Sequence, residues 1–190
     1  MVFKFAKLYD KVIARLEAEL PEQYTYHSAD HTKYVIEKVE HIAIKEKVSK
    51  KNLRLLKIAA LYHDIGFIKS SENHEAKGCK IATKELKQLD FSEKDIDTIC
   101  GMIMATKIPQ SPKSHLEAIL ADADLEYLAT NRFKEIGDML YEELKSANPN
   151  FSKKQWNDLQ VSFMSKHKYH TDYCKKYKQW RKQKNLSGLM

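Results

Sequence analysis

The stretch Leu53-Arg54-Leu55-Leu56-Lys57-Ile58-Ala59-Ala60-Leu61-Tyr62-His63-Asp64-Ile65-Gly66 is strongly apolar. It predicts a helix over Lys51 to Ile65, with Gly66 well placed as the residue just past its end. His63 follows Ala59 by four residues and Leu56 by seven, so it belongs to the stripe that faces a core. Asp64 falls in the last turn, where the helix end is partially negative and an apolar run solvates a carboxylate poorly. An ionised Asp64 there needs a strong cationic partner, which a bound metal would supply. Taken alone, the pair reads more simply as a satisfied core histidine beside a surface aspartate.

Two segments further out change that balance. In Tyr26-His27-Ser28-Ala29-Asp30-His31-Thr32 the two histidines are four residues apart, and His31 continues an apolar face through Val35, Val39 and Ile42. In Ile119-Leu120-Ala121-Asp122-Ala123-Asp124-Leu125, Asp124 follows Leu120 by four and precedes Leu128 by four, which puts it on the face expected to be buried. Three inward helix faces thus each deliver imidazole or carboxylate. Such a mixed nitrogen and oxygen set, without thiolate, suits one divalent ion: manganese, iron, cobalt, nickel, zinc or magnesium.

The rest of the chain reads as helices. Phe3 to Leu20 is stopped by Pro21, and Ser28 or Asp30 caps a second helix running to about Val48. Ser71 to Leu89 and Ser92 to Ala105 follow, then a helix carrying Leu116 through Leu128. Arg132 to Ser146, Ser152 to Lys166 and Thr171 to Lys184 complete the set. Only five glycines and four prolines interrupt 190 residues, and strand-like alternation is weak, so the expected fold is all-α, one domain spanning residues 1–190. With 43% apolar and 31% charged residues the chain is globular rather than disordered.

Cys79, Cys100 and Cys174 are odd in number and form no C-x-x-C pair, as reduced thiols of a cytoplasmic protein would. Met1 to Lys7 lacks the apolar core of a secretory signal, and no segment approaches the roughly 18–20 apolar residues that span a membrane. A cytoplasmic, soluble protein is the expectation. The net charge of +7 fits a lysine-rich solvated surface, or attraction of an anion such as a nucleotide or phosphate ester. No Cys/His finger spacing or aromatic RNA-binding motif supports a nucleic-acid partner. Near the C-terminus, Tyr173, Tyr177 and Trp180 share a helical face expected to dock on the body, with the neighbouring lysines facing water.

The ordered set His31, His63-Asp64, Asp124 resembles the HD-domain superfamily of metal-dependent phosphohydrolases. It is most similar to small bacterial members opening on Tyr-His-x-x-x-His-Thr. The likeness extends to Ala60-Leu61-Tyr62-His63-Asp64-Ile65-Gly66, Asn73-His74-Glu75, Ala105-Thr106-Lys107, Ala121-Asp122-Ala123-Asp124-Leu125 and Phe163 to Thr171, nearly the whole chain. It implies the helical bundle of the HD and phosphodiesterase type, with His31, His63, Asp64 and Asp124 as metal ligands. It also separates His31, the ligand, from His27, a proton donor to the leaving oxygen, and Asp124 from Asp122, an outer acceptor or helix-start residue.

From this resemblance follow a metal-activated water attacking phosphorus, orientation of that water by Asp64, and protonation of the leaving group by His27 or His74. Lys107, Lys69 and Glu75 are expected at the substrate. A second ion is not favoured, because only His74 and His115 lie between the doublet and Asp124. The expected substrate is a small, nucleotide-like phosphate ester. The alternatives are a catalytically silent ligand-binding or regulatory module on the same scaffold, and a basic nucleic-acid-binding helical protein.

Overall fold

The structure, a computed structural model, describes residues 5–190. Phe3, the expected start of the first helix, lies outside them, as do the first four residues of the stretch weighed as a signal. The chain is all-α, and among the described residues there is no strand. The helices are α1 (Phe5–Glu19), α2 (Ala29–Lys45), α3 (Lys50–Tyr62), α4 (His74–Lys87), α5 (Glu93–Met104), α6 (His115–Asp124), α7 (Phe133–Ala147), α8 (Lys153–Lys166), α9 (Asp172–Tyr177) and α10 (Gln179–Ser187). Two 3-10 turns, Ile65–Ile68 and Glu126–Ala129, follow α3 and α6.

Local sequence chemistry sets many of the starts. The side chains of Ser28, Ser49, Ser92, Ser114, Ser152 and Thr171 each accept a hydrogen bond from a backbone N–H in the first turn of the helix they precede. Each such cap is worth about 1 kcal/mol. Ser28, rather than Asp30, is the cap of α2, and this fixes where on that helix His31 falls.

The main core lies among α1 to α6 and includes Val12, Val35, Val39, Leu56, Ile58, Leu61, Ile99 and Ile119. A smaller apolar cluster gathers Tyr26, Leu125, Tyr127, Leu128, Phe133, Met164 and Leu186. Among the places where the chain passes between the clusters are Tyr26 to Ala29 and Ala123 to Leu125. His31 and Asp124 lie at those two passages. There α2, α3 and α6 pack against one another, and α3 delivers His63 from the third side.

Five expectations are corrected. The third helix ends at Tyr62, so His63 and Asp64 occupy the turn beyond it rather than its last turn. Gly66 has no left-handed backbone and is not a C′ residue; it lies in a 3-10 turn. Its lack of a side chain matters because a Cβ there would lie 1.9 Å from the His74 carbonyl oxygen. The sixth helix ends at Asp124, and the last divides at Lys178. That break resets the helical face. Lys178 turns in to pair with buried Glu126, and the buried Lys182 donates to the carbonyl oxygens of Met164 and His167. Of the expected aromatic stripe, Tyr173 packs against the main core, whereas Tyr177 at the end of α9 and Trp180 beyond the break are 49% and 58% exposed instead of docked.

Candidate metal centre

Beyond the end of α3 the backbone offers carbonyls that no helical N–H reaches. His63 uses one of them: its Nδ1 lies 2.7 Å from the Ala60 carbonyl oxygen, which can only accept, so Nδ1 is the donor. That bond turns Nε2 toward the interior. Nε2 then lies 3.0 Å from Asp64 Oδ2, 3.6 Å from Asp124 Oδ1 and 3.4 Å from His31 Nε2. His31 Nε2 is in turn 3.1 Å from Asp124 Oδ1 and 3.5 Å from Asp64 Oδ2. One ligand atom from each of His31, His63 and Asp124 falls within 4.8 Å of the others. Asp64 stands beside this compact group through its approach to both imidazoles.

The donors fit a divalent cation. Electron-pair donors from two imidazoles and two carboxylates converge in a buried space, where their mutual repulsion is poorly screened. Asp64 Oδ2 is buried and, although His63 Nε2 lies 3.0 Å away, the two are not aligned for a hydrogen bond, an arrangement that costs free energy unless a cation answers it. Titration follows the same field. Burial pulls the His63 imidazole down, but Asp64 and Asp124 hold it well above its ordinary value. Burial pushes Asp64 up, yet His63, His27 and His31 hold it below the usual carboxylate range. Asp124, opposed by burial in the same way, is drawn down to about 2 by His31 and His63.

His27 sits next to the group. Its Nδ1 is 2.5 Å from Glu143 Oε1, while the backbone N–H groups of Tyr26 and His27 both donate to Glu143 Oε2 at 3.1 Å. Its ring stacks on Phe67 with centroids 4.1 Å apart, and Phe67 also meets His74 at 4.1 Å. Burial lowers the His27 pKa, but the Glu143 hydrogen bond and the field of Asp64 raise it by more. The His74 Nδ1 faces the Ser71 carbonyl at 3.1 Å, leaving Nε2 3.6 Å from Asp64 Oδ1 and 3.5 Å from Glu75 Oε1.

A cavity of about 420 Å³ is lined by His27, Asp64, His74, Glu75, Lys107 and Asp124, among others. Lys107 stands on its wall and donates to Asn73 Oδ1 at 3.2 Å. Two expected residues are not brought to this site. Lys69 is exposed at the end of the 65–68 turn and is not part of the wall. Asp122 is wholly buried, but its carboxylate accepts hydrogen bonds from the backbone of His170 and from the backbone and hydroxyl of Thr171. Two residues before Asp124 on a helix, it points to a different side. Glu143 and Phe67 are the contributors that sequence reasoning missed. The aromatic Phe67 beside the doublet is a weak signal for one of them, and the other has none.

The HD domain family model matches residues 28–126, just over half of the chain. The chain belongs to the HD-domain family. Across its full length this HD-domain protein is similar to a crystal structure described as that of a predicted HD superfamily hydrolase from an uncultured Thermotogales bacterium. The TM-score is 0.61 at 18% identity, covering 98% of this chain and 93% of the other, a likeness of fold. A comparison with curated proteins finds no match. Family membership, with the His31, His63 and Asp124 group, supports a metal-dependent hydrolase. The matched region holds His31, His63 and Asp124, a group that could hold a metal ion, whereas His27 and Glu143 lie outside it. No helix among the described residues is long and apolar enough to cross a membrane.

Proposed function

We propose that the whole chain is one metal-dependent phosphohydrolase domain that cleaves a small phosphate ester, with His31, His63, Asp64 and Asp124 holding one divalent ion. The observation that carries this reading is the buried, hydrogen-bond-free Oδ2 of Asp64 beside two imidazole nitrogens aimed at the same space. Bound there, the ion supplies Lewis-acid chemistry, polarising a phosphoryl oxygen and making water a nucleophile near neutral pH. In the net reaction a water oxygen bonds to phosphorus, the phosphorus–oxygen bond to the leaving group breaks, and the departing oxygen takes up a proton.

His27 supplies that proton. Glu143 holds Nδ1, so Nε2 is the nitrogen left for the leaving oxygen, and the raised pKa keeps the imidazole charged closer to neutral pH. Asp64 accepts a hydrogen bond from the attacking water and so orients it, and His74, next to Asp64 and Glu75, steadies that carboxylate. Lys107 places a positive charge on the cavity wall where phosphate oxygens need one. A nucleotide-like organic part, the expectation from charge, remains one class for the test to include.

The test is hydrolysis of aryl phosphate mono- and diesters and of a nucleoside 5′-monophosphate across manganese, magnesium, cobalt, nickel and zinc. Turnover that needs metal and falls by at least about 100-fold in His27→Ala is the expected result. Stoichiometric metal without turnover on any ester would instead favour a silent binding module.

A further inference from the structure

The cavity that reaches His27, Asp64 and Asp124 changes character along its wall. Its remaining lining includes Leu128, then Leu140 and Leu144 of α7, and Trp156, Leu159 and Phe163 of α8. The two helices contribute one polar side chain to it, Gln160, and no charged one. The cations and carboxylates lie on the other elements, at and after α3, at the start of α4, and at Lys107 and Asp124. The site is therefore divided into a charged end that suits a phosphate and an apolar chamber joined to it.

A second observation points the same way. Leu159 and Ile108 are large aliphatic side chains left 47% and 51% exposed, and both line this cavity. Apolar surface left open beside a reactive centre gains free energy when a ligand covers it. A nucleoside suits such a chamber poorly. Its ribose hydroxyls and base edges would lose water and find only Gln160 on α7 and α8 to replace it, and each polar group left unpaired costs affinity.

We propose that the chamber between α7, α8 and the 126–129 turn takes an apolar organic group, so that the phosphate ester bound here carries an alkyl or aryl chain rather than a nucleoside. This deepens the hydrolase reading above and rests on it for the position of the phosphate. The group leaves as an alcohol or phenol when the phosphorus–oxygen bond breaks, taking the proton that His27 supplies.

Binding of n-alkylphosphonates, which resist hydrolysis, tests the chamber separately from turnover. In Trp180→Phe the one remaining tryptophan is Trp156 on the chamber wall, so its fluorescence reports occupancy directly. With the metal-loaded protein, Kd is expected to fall about fourfold per added methylene until the chamber is filled. Octylphosphonate is then expected to bind more tightly than a nucleoside 5′-monophosphate. Leu159→Asp, at a half-exposed position that folding tolerates, flattens the dependence on chain length. An affinity independent of chain length, or tighter binding of the nucleotide, would overturn the proposal. If aryl esters turn over while the slope is flat, the chamber assignment alone falls. A preserved slope without turnover on any ester would sink the hydrolase reading and uphold the chamber.

Discussion

His27 and Glu143 lie 116 residues apart, yet one carboxylate holds the imidazole and both backbone N–H groups around it. Glu143→Gln keeps an acceptor for the backbone but removes the charge, so the His27 pKa should fall, which NMR titration of the ring reads directly. The sign for stability follows from the raised pKa. The ion pair stabilises the fold fully below about pH 6.5 and is lost as pH climbs through the higher folded value. Glu143→Gln is therefore expected to cost about 1.5 kcal/mol near pH 6, shrinking at alkaline pH, as measured by urea unfolding. A cost that does not change with pH would show that the pair is not the origin. His31, His63 and Asp124 were legible in the sequence because helical spacing aligned each with an apolar stripe. Glu143 was not. It is one of two adjacent glutamates on an amphipathic helix, and nothing local marks which of them turns inward.

At the scale of elements, the doublet and the His74-Glu75 pair are held together by a backbone contact. A Cβ on Gly66 would meet the His74 carbonyl carbon at 2.7 Å and its oxygen at 1.9 Å, all of it backbone at the first turn of α4. Gly66→Ala must therefore push α4 away. The expected loss is about 3 kcal/mol, read as a lowered Tm, with weakened ester hydrolysis because His74 and Glu75 move with the helix. An unchanged Tm would mean the two segments are not packed as described. The long amphipathic helices were readable from periodicity and serine caps. Their ends were less so, because the turn at His63 depends on a side chain bonding back to Ala60, and the break at Lys178 depends on a buried partner far away in sequence. Because the helix breaks at Lys178, the face that Trp180 takes could not be read from its spacing to Tyr173 and Tyr177.

At the scale of the whole molecule, two apolar clusters meet where α2, α3 and α6 bring together imidazoles and carboxylates from positions 31, 63, 64 and 124. The all-α class and the convergence of these segments were visible in the sequence, since each face could be predicted from its own neighbours. The cavity was not, because its wall is assembled from α7 and α8, whose inward apolar residues look in sequence like ordinary core. Family likeness and local spacing both stop short of saying what fills that space. The claim on which the account depends is the metal centre itself. Its direct measurement is the metal content of the purified protein beside that of Asp64→Ala, with circular dichroism to verify the fold of both. About one equivalent of divalent metal in the wild type and none in a folded Asp64→Ala variant is the predicted result, since the orphaned buried oxygen is what calls for the cation. Stoichiometric metal retained by Asp64→Ala, or no affinity for any divalent ion in the wild type, would contradict it.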